Sequence, residues 1–248
     1  MDVLMPLPRE DFDPTEAGVT FTTLVRTGHR VVVATPDGKP ARADHRMVEG
    51  TGLGPWKGLL RADAHGRAAH DEMAHHPAFQ SPVPYEQAAA EPYGALVLPG
   101  GHAPGMRYYL ESPLLQSIVA RFFDENRPVG AICHGVVLAA RSRSAKTGQS
   151  VLHGRRTTAL THWMEMSAWL LTAAWLGSYY RTYPQTVQWE VTAALAQPED
   201  FLTGPFSSTR DTPTRLGAGF TVRDGNYLSA RWPGDAHRFA SEFAALLS

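Results

Sequence analysis

The chain has 248 residues, enough for one large domain or for one domain carrying an insertion. Lysine plus arginine total 23 against 24 for aspartate plus glutamate, so the formal charge of −1 gives no field for steering nucleic acid or an anionic membrane surface. Hydrophobic residues at 43% and charged residues at 19% are globular composition and exclude intrinsic disorder, and no apolar run approaches the roughly 18 residues of a membrane-spanning helix. The N-terminus reaches acidic residues before an apolar stretch of signal-peptide length, so a cytoplasmic location is expected. With one cysteine, Cys133, there is no intrachain disulfide and no thiolate zinc finger.

Asp2 to Leu7 reads as a first strand. Asp13-Pro14-Thr15-Glu16 then has the chemistry of a helix start, with Asp13 as N-cap and Pro14 as first helical residue; Phe21, Leu24 and Val25 follow at helical spacing and Gly28 stops the helix. Arg30 to Ala34 is a buried strand, which completes a βαβ unit of a parallel sheet. Between Thr35 and Pro92 the periodicity disappears, and residues 36–92 are expected to form an irregular insertion or lid within a single domain spanning 1–248.

Ala95 to Leu98 is the next strand, ending in Pro99-Gly100-Gly101. Ser112-Pro113 opens a helix with Leu115, Ile118, Val119 and Phe122 on one face, and Pro128 to Ile132 returns as a strand that runs directly into Cys133. The segment after Gly135 reads as a helix, Arg155 to Leu160 as a strand, and Met164 to Trp175 as a Trp-rich helix. Phe220 to Arg223 and Tyr227 to Arg231 flank Asp224-Gly225-Asn226, a hairpin signal, and Asp235 is placed to cap a last helix. This alternation predicts an α/β fold: a doubly wound, mostly parallel sheet flanked by helices, whose ligands bind beyond the carboxyl ends of the strands.

The chemistry concentrates in Ala131-Ile132-Cys133-His134-Gly135. A residue between a buried strand and a helix sits on a sharp turn, and the small Ala131 and Gly135 let the chain turn without collision, as in a nucleophile elbow with sulfur in place of oxygen. A helix N-terminus also favours thiolate, so a lowered thiol pKa is expected; the competing reading is a buried structural thiol. The glycines of Leu98-Pro99-Gly100-Gly101-His102 let the Gly101 amide approach a reacting carbonyl, forming an oxyanion hole with the amide of Cys133 or His134. Glu16 has two readings: a capping-box glutamate bound to its own helix terminus, or a carboxyl group pointing into the cleft beside Cys133. His65, His70, Asp71, Glu72, His75 and His76 lack the one-face spacing of a metal motif and read as a solvated histidine-rich segment. The run from Trp163 through Trp169, Trp175, Tyr179, Tyr180 and Tyr183 to Trp189 reads as core or subunit interface.

A glutamate on the first helix, PGG after a strand and A-I-C-H-G at the elbow together resemble the ThiJ/PfpI superfamily, a branch of the class I glutamine amidotransferase-like fold. The similarity spans roughly Val3 to Arg231. It implies that Cys133 is the nucleophile, Glu16 the carboxylate near its sulfur, Gly101 the oxyanion-hole amide and His134 the adjacent histidine, with His162 or Glu165 as third member. No H-x-E pair stands near the C-terminus, which argues against glutamine hydrolysis. The implied activity is cofactor-free, metal-free conversion of a 2-oxoaldehyde to a 2-hydroxy acid, as in glyoxalase III-like relatives, or the related deglycation. The alternatives are a cysteine amidase or peptidase, and a redox-sensing or holdase protein without turnover. The implied partners are a small carbonyl or amide substrate and a second copy of the chain as a homodimer, with no nucleic acid and no membrane.

Overall fold

Five consecutive parallel pairings organise the molecule, which is a computed structural model describing residues 1–248. Nine strands occur in chain order: β1 (Asp2–Pro6), β2 (Glu10–Phe12), β3 (Arg30–Thr35), β4 (Arg42–Ala43), β5 (Val83–Pro84), β6 (Ala95–Leu98), β7 (Val129–Ile132), β8 (Thr221–Asp224) and β9 (Tyr227–Ala230). Seven form one sheet in the order β5-β3-β1-β6-β7-β9-β8, and only the β8–β9 pairing is antiparallel. β2 and β4 form a separate two-stranded piece. The central strands β6 and β7 are buried at every residue, as a parallel sheet covered on both faces requires.

The helix Pro14–Arg26 starts where expected: Asp13 Oδ1 accepts from the amides of Thr15 at 2.8 Å and Glu16 at 3.0 Å. It packs against the helices Ala64–His75 and Ala236–Leu246, while Gly135–Arg141 packs against Pro113–Asp124 and Val187–Ala194. The Pro113–Asp124 helix, capped by Ser112, buries Leu115, Ile118, Val119 and Phe122, each contributing about 1.5–3 kcal/mol of apolar burial. No helix is long and apolar enough to cross a membrane.

Residues 36–92 hold more regular structure than their composition predicts. They supply edge strand β5, paired with β3, and the helix Ala64–His75, docked on Pro14–Arg26; Tyr85 ties the segment down by donating its hydroxyl to the Leu7 carbonyl. The histidine-rich residues point to separate tasks. Glu72 pairs with Arg26, His75 with Asp71, and His76 Nδ1 accepts from the Ala78 amide, so no group of metal-ligating side chains converges there.

Three expected elements differ. Arg155 to Leu160 forms no strand beyond a single bridge from Thr157 to Phe201, because β8 already occupies the free edge of β9. Thr157 and Thr158 instead reach β9 through side-chain bonds to Ser229 and Tyr227. His162 consequently begins the helix His162–Leu176 instead of ending a strand. Asp235 makes no side-chain cap for the last helix; its carboxylate binds the fully buried Arg231 guanidinium at 2.8 and 2.9 Å and accepts from the Phe220 amide.

Candidate active site

β1, β6 and β7 lie side by side, so the turns after them open onto one crevice at the sheet's carboxyl edge. Cys133 stands at the end of β7 with φ of 56°, a left-handed conformation that a residue with a side chain adopts at a cost. Its amide is fixed by the Ala230 carbonyl at 3.1 Å, and the helix Gly135–Arg141 follows at once. Gly135 is required by close approach, since a Cβ there would lie 2.1 Å from the Leu98 carbonyl oxygen. Strand, strained cysteine and glycine therefore make the elbow anticipated from Ala131 to Gly135.

Glu16 resolves the choice left open by its position. It does not bend back to its own helix terminus. Its Oε2 accepts from the Gly100 amide at 2.7 Å across the crevice, while Oε1 is buried without a nitrogen or oxygen partner and the Cys133 thiol stands beside it. Burial, reinforced by the neighbouring Asp13 carboxylate, pushes the Glu16 carboxyl well above the ordinary range. Burial likewise pushes Asp13 up to about 6. The thiol follows the same logic: burial first, then the charges of Glu16 and Asp13, push Cys133 well up, outweighing the His134 amide that points at the sulfur. The lowered thiol pKa expected from the helix terminus is thus not what this environment produces, because two carboxyl groups and desolvation oppose a short helix.

His134 lies against the sulfur with Nδ1 3.5 Å from Sγ. Its other ring nitrogen, Nε2, is 3.0 Å from the Thr182 hydroxyl, and that hydroxyl donates to the His102 carbonyl at 2.6 Å. Because the Thr182 proton is committed to His102, its oxygen can only accept from Nε2–H, which leaves the Nδ1 lone pair facing the thiol. Arg107 holds the Thr182 carbonyl through two donors at 2.9 and 2.6 Å. Burial, with smaller contributions from His102 and Arg141, keeps the imidazole neutral down to about 3. The ring is buried and does not line the crevice, whereas Cys133 does.

Gly101, at φ of 147°, lines the crevice, and its amide binds no acceptor within the fold. His102 stacks on Tyr180 at 4.3 Å and meets Tyr179 edge-on at 4.9 Å, with Asp44 3.9 Å from its Nε2. The other two residues considered as partners for His134 are placed elsewhere. His162 stacks on Trp189 at 4.5 Å and bonds Thr186, outside the Cys133 crevice. Glu165 lines the crevice, but its Oε2 accepts from the Val187 amide at 2.9 Å and its Oε1 lies 3.3 Å from Arg181 Nε, so it does not orient His134. Thr182 occupies that place. The aromatic run divides: Tyr180 lines the crevice and Tyr179 packs edge-on against it and His102, whereas Trp163 and Trp189 face solvent.

Cys133, Glu16, Gly101 and His134 thus form one assembly of thiol, buried carboxyl with a raised pKa, free amide and imidazole. Solved structures share the whole architecture. Glyoxalase III from Candida albicans superposes with a TM-score of 0.67 at 19% identity, covering 99% of this chain and 97% of that one. Rapid Encystment Protein 24 KDa from Francisella tularensis gives 0.73 at 16% identity, covering 100% and 99%. Among sequences, a deglycase from Pyrococcus abyssi is 27% identical over 163 residues, 66% of this chain and 68% of the relative. Protein DJ-1 homolog D from Arabidopsis thaliana is 32% identical over 97 residues, 39% of this chain, and the match spans only 22% of that longer protein. The profile described as ThiJ/PfpI family-like matches residues 7–205, and the chain belongs to that family.

Proposed function

We propose that the protein is a cysteine-dependent, cofactor-free enzyme converting 2-oxoaldehydes to 2-hydroxy acids, with Cys133 as nucleophile. The observation that supports this reading best is the paired proton inventory at the sulfur: a buried, proton-retaining Glu16 on one side and a neutral His134 with a free Nδ1 on the other. The names of the deglycase and glyoxalase III relatives point the same way.

In the proposed sequence the thiol proton passes to His134 Nδ1 as sulfur adds to the aldehyde carbon, C1. Glu16 gives its proton to the oxygen that was the carbonyl, which the Gly101 and His134 amides hold during addition. The carboxylate so formed removes the C1 hydrogen, leaving an enediolate, and returns that proton to C2 while the C1 hydroxyl proton moves to the C2 oxygen. The result is a thioester of the 2-hydroxy acid. Water cleaves it, giving a proton to the Glu16 carboxylate as its oxygen adds to C1, and the departing thiolate recovers its proton from His134 as the 2-hydroxy acid leaves. Atoms and electrons balance without an external oxidant, since C1 is oxidised as C2 is reduced. The homodimer implied by the sequence belongs to this reading, supported by Trp163 and Leu170 standing exposed on the helix His162–Leu176.

The test is methylglyoxal consumption with lactate formation in the absence of glutathione. Activity should vanish in Cys133→Ala while the variant still folds by circular dichroism. Ammonia release from an amide by the same cysteine would make the protein an amidase instead, and peroxide oxidation of Cys133 without any turnover would make it a redox protein.

A further inference from the structure

The crevice over Cys133 encloses about 160 Å³, roughly ten times what a single water needs in the same measure. The space beyond the sulfur is walled by Leu59, Leu60, Met164, Ala168, Leu171 and Phe206. A formyl group and a methyl would leave that wall untouched. Across the cavity stands Arg210, which makes no ion pair: Nη1 is buried with no hydrogen-bond partner, Nη2 reaches only the Arg61 carbonyl at 3.4 Å, and the guanidinium rests 5.2 Å from the Trp232 ring centroid. The charges of Asp13 and Glu16 are the acidic groups that feel it. A buried guanidinium donor without an acceptor is costly in an apolar setting, and a ligand oxygen bearing negative charge would satisfy it.

Resting on the glyoxalase-type reading above, we infer that the site takes 2-oxoaldehydes with a bulky hydrocarbon substituent, aryl or branched alkyl, and that Arg210 binds the oxygen on C2 and the carboxylate of the product. The hydrocarbon lies on the Leu59–Phe206 wall, which methylglyoxal is too small to use. Arg210 acts on an oxygen that gains charge as the enediolate forms, so its contribution falls mainly on turnover.

The experiment compares phenylglyoxal with methylglyoxal, and binding of mandelate with that of lactate by calorimetry, in the parent, Arg210→Met and Ala168→Phe. The parent is expected to prefer phenylglyoxal by about tenfold or more in kcat/KM. Ala168→Phe, which fills the apolar side, should lower phenylglyoxal turnover about tenfold and leave methylglyoxal within about twofold. Arg210→Met should reduce kcat for both aldehydes by about thirtyfold with little change in KM. Mandelate should bind about tenfold more tightly than lactate in the parent and lose that binding in Arg210→Met.

Equal kcat/KM for the two aldehydes, or mandelate binding no tighter than lactate, overturns the inference while leaving the glyoxalase reading intact. Absence of turnover with either aldehyde overturns the glyoxalase reading, and the mandelate arm then decides the ligand class by itself. Should Arg210→Met fail to fold, Arg210→Lys, which keeps the charge and loses the planar fork, is expected to retain binding at reduced strength; unchanged binding there, with Ala168→Phe also silent, overturns the inference.

Discussion

Thr182 Oγ1 accepts from His134 Nε2 at 3.0 Å while donating to the His102 carbonyl at 2.6 Å, so one hydroxyl sets which nitrogen of the imidazole faces the sulfur. Thr182→Val removes the acceptor and frees the ring to place a proton on Nδ1, the tautomer that cannot take the thiol proton. A fall in kcat/KM of about ten- to a hundredfold is expected, with Thr182→Ser close to the parent. Equal activity in the valine and serine variants would show that the hydroxyl does not govern the imidazole.

The Cys133 thiol is held up first by burial and then by its carboxyl neighbours. Glu16→Gln removes one of those charges and should lower the pH midpoint for alkylation of Cys133 by iodoacetamide, even as it abolishes proton return to C2 and cuts turnover. In the parent, kcat/KM should decline on the alkaline side as Glu16 loses its proton, without an acid limb from His134, which stays neutral down to about 3. A rate that climbs steadily with pH would instead indicate reaction through a preformed thiolate.

His134, the histidine expected beside the sulfur, lies against it, whereas His162, one of the two residues expected as third member, lines a different crevice. His162 is stacked on Trp189, remote from the sulfur, so His162→Ala should leave kcat/KM within about twofold, as for a residue outside the reacting assembly. Loss of activity in His162→Ala, with His134→Ala retaining it, would reverse the assignment of the base.

Glu165 is pushed up to about 7, chiefly by burial, and an acid that binds its proton more tightly when folded weakens the fold as pH rises. Its destabilising ionisation sets in above the ordinary carboxyl value of 4.5 and is complete above about 7, worth up to about 3 kcal/mol. Glu165→Gln escapes that ionisation. Its melting temperature relative to the parent should therefore rise between pH 5 and pH 8; a difference independent of pH would mean that Glu165 stays charged throughout.

The sheet, its first helix and the elbow were legible because each is written locally. Asp13-Pro14 caps, Leu115 to Phe122 repeats at helical spacing, and Cys133 stands between a buried strand and a glycine. Glu16 was legible as a candidate but not as a partner for Gly100, 84 residues away, since only the packing of β1 beside β6 brings the two together. Thr182 and Arg210 left no sequence signal. Both lie in aperiodic segments, and a lone threonine or arginine there is indistinguishable from a surface residue until the chain closes over the crevice. The strand expected at 155–160 failed for a related reason: apolar and β-branched residues specify the wish to pair, but an edge taken by β8 leaves nothing to pair with.

The left-handed backbone at Cys133 also bears on how the fold tolerates change. Glycine would occupy that seat with less conformational tension than any residue carrying a Cβ, so the chain keeps its sulfur there against its own mechanical ease. A strained turn and the sulfur belong to the same residue, and under the proposed mechanism a substitution that relaxed the turn would cost activity while making the fold sturdier.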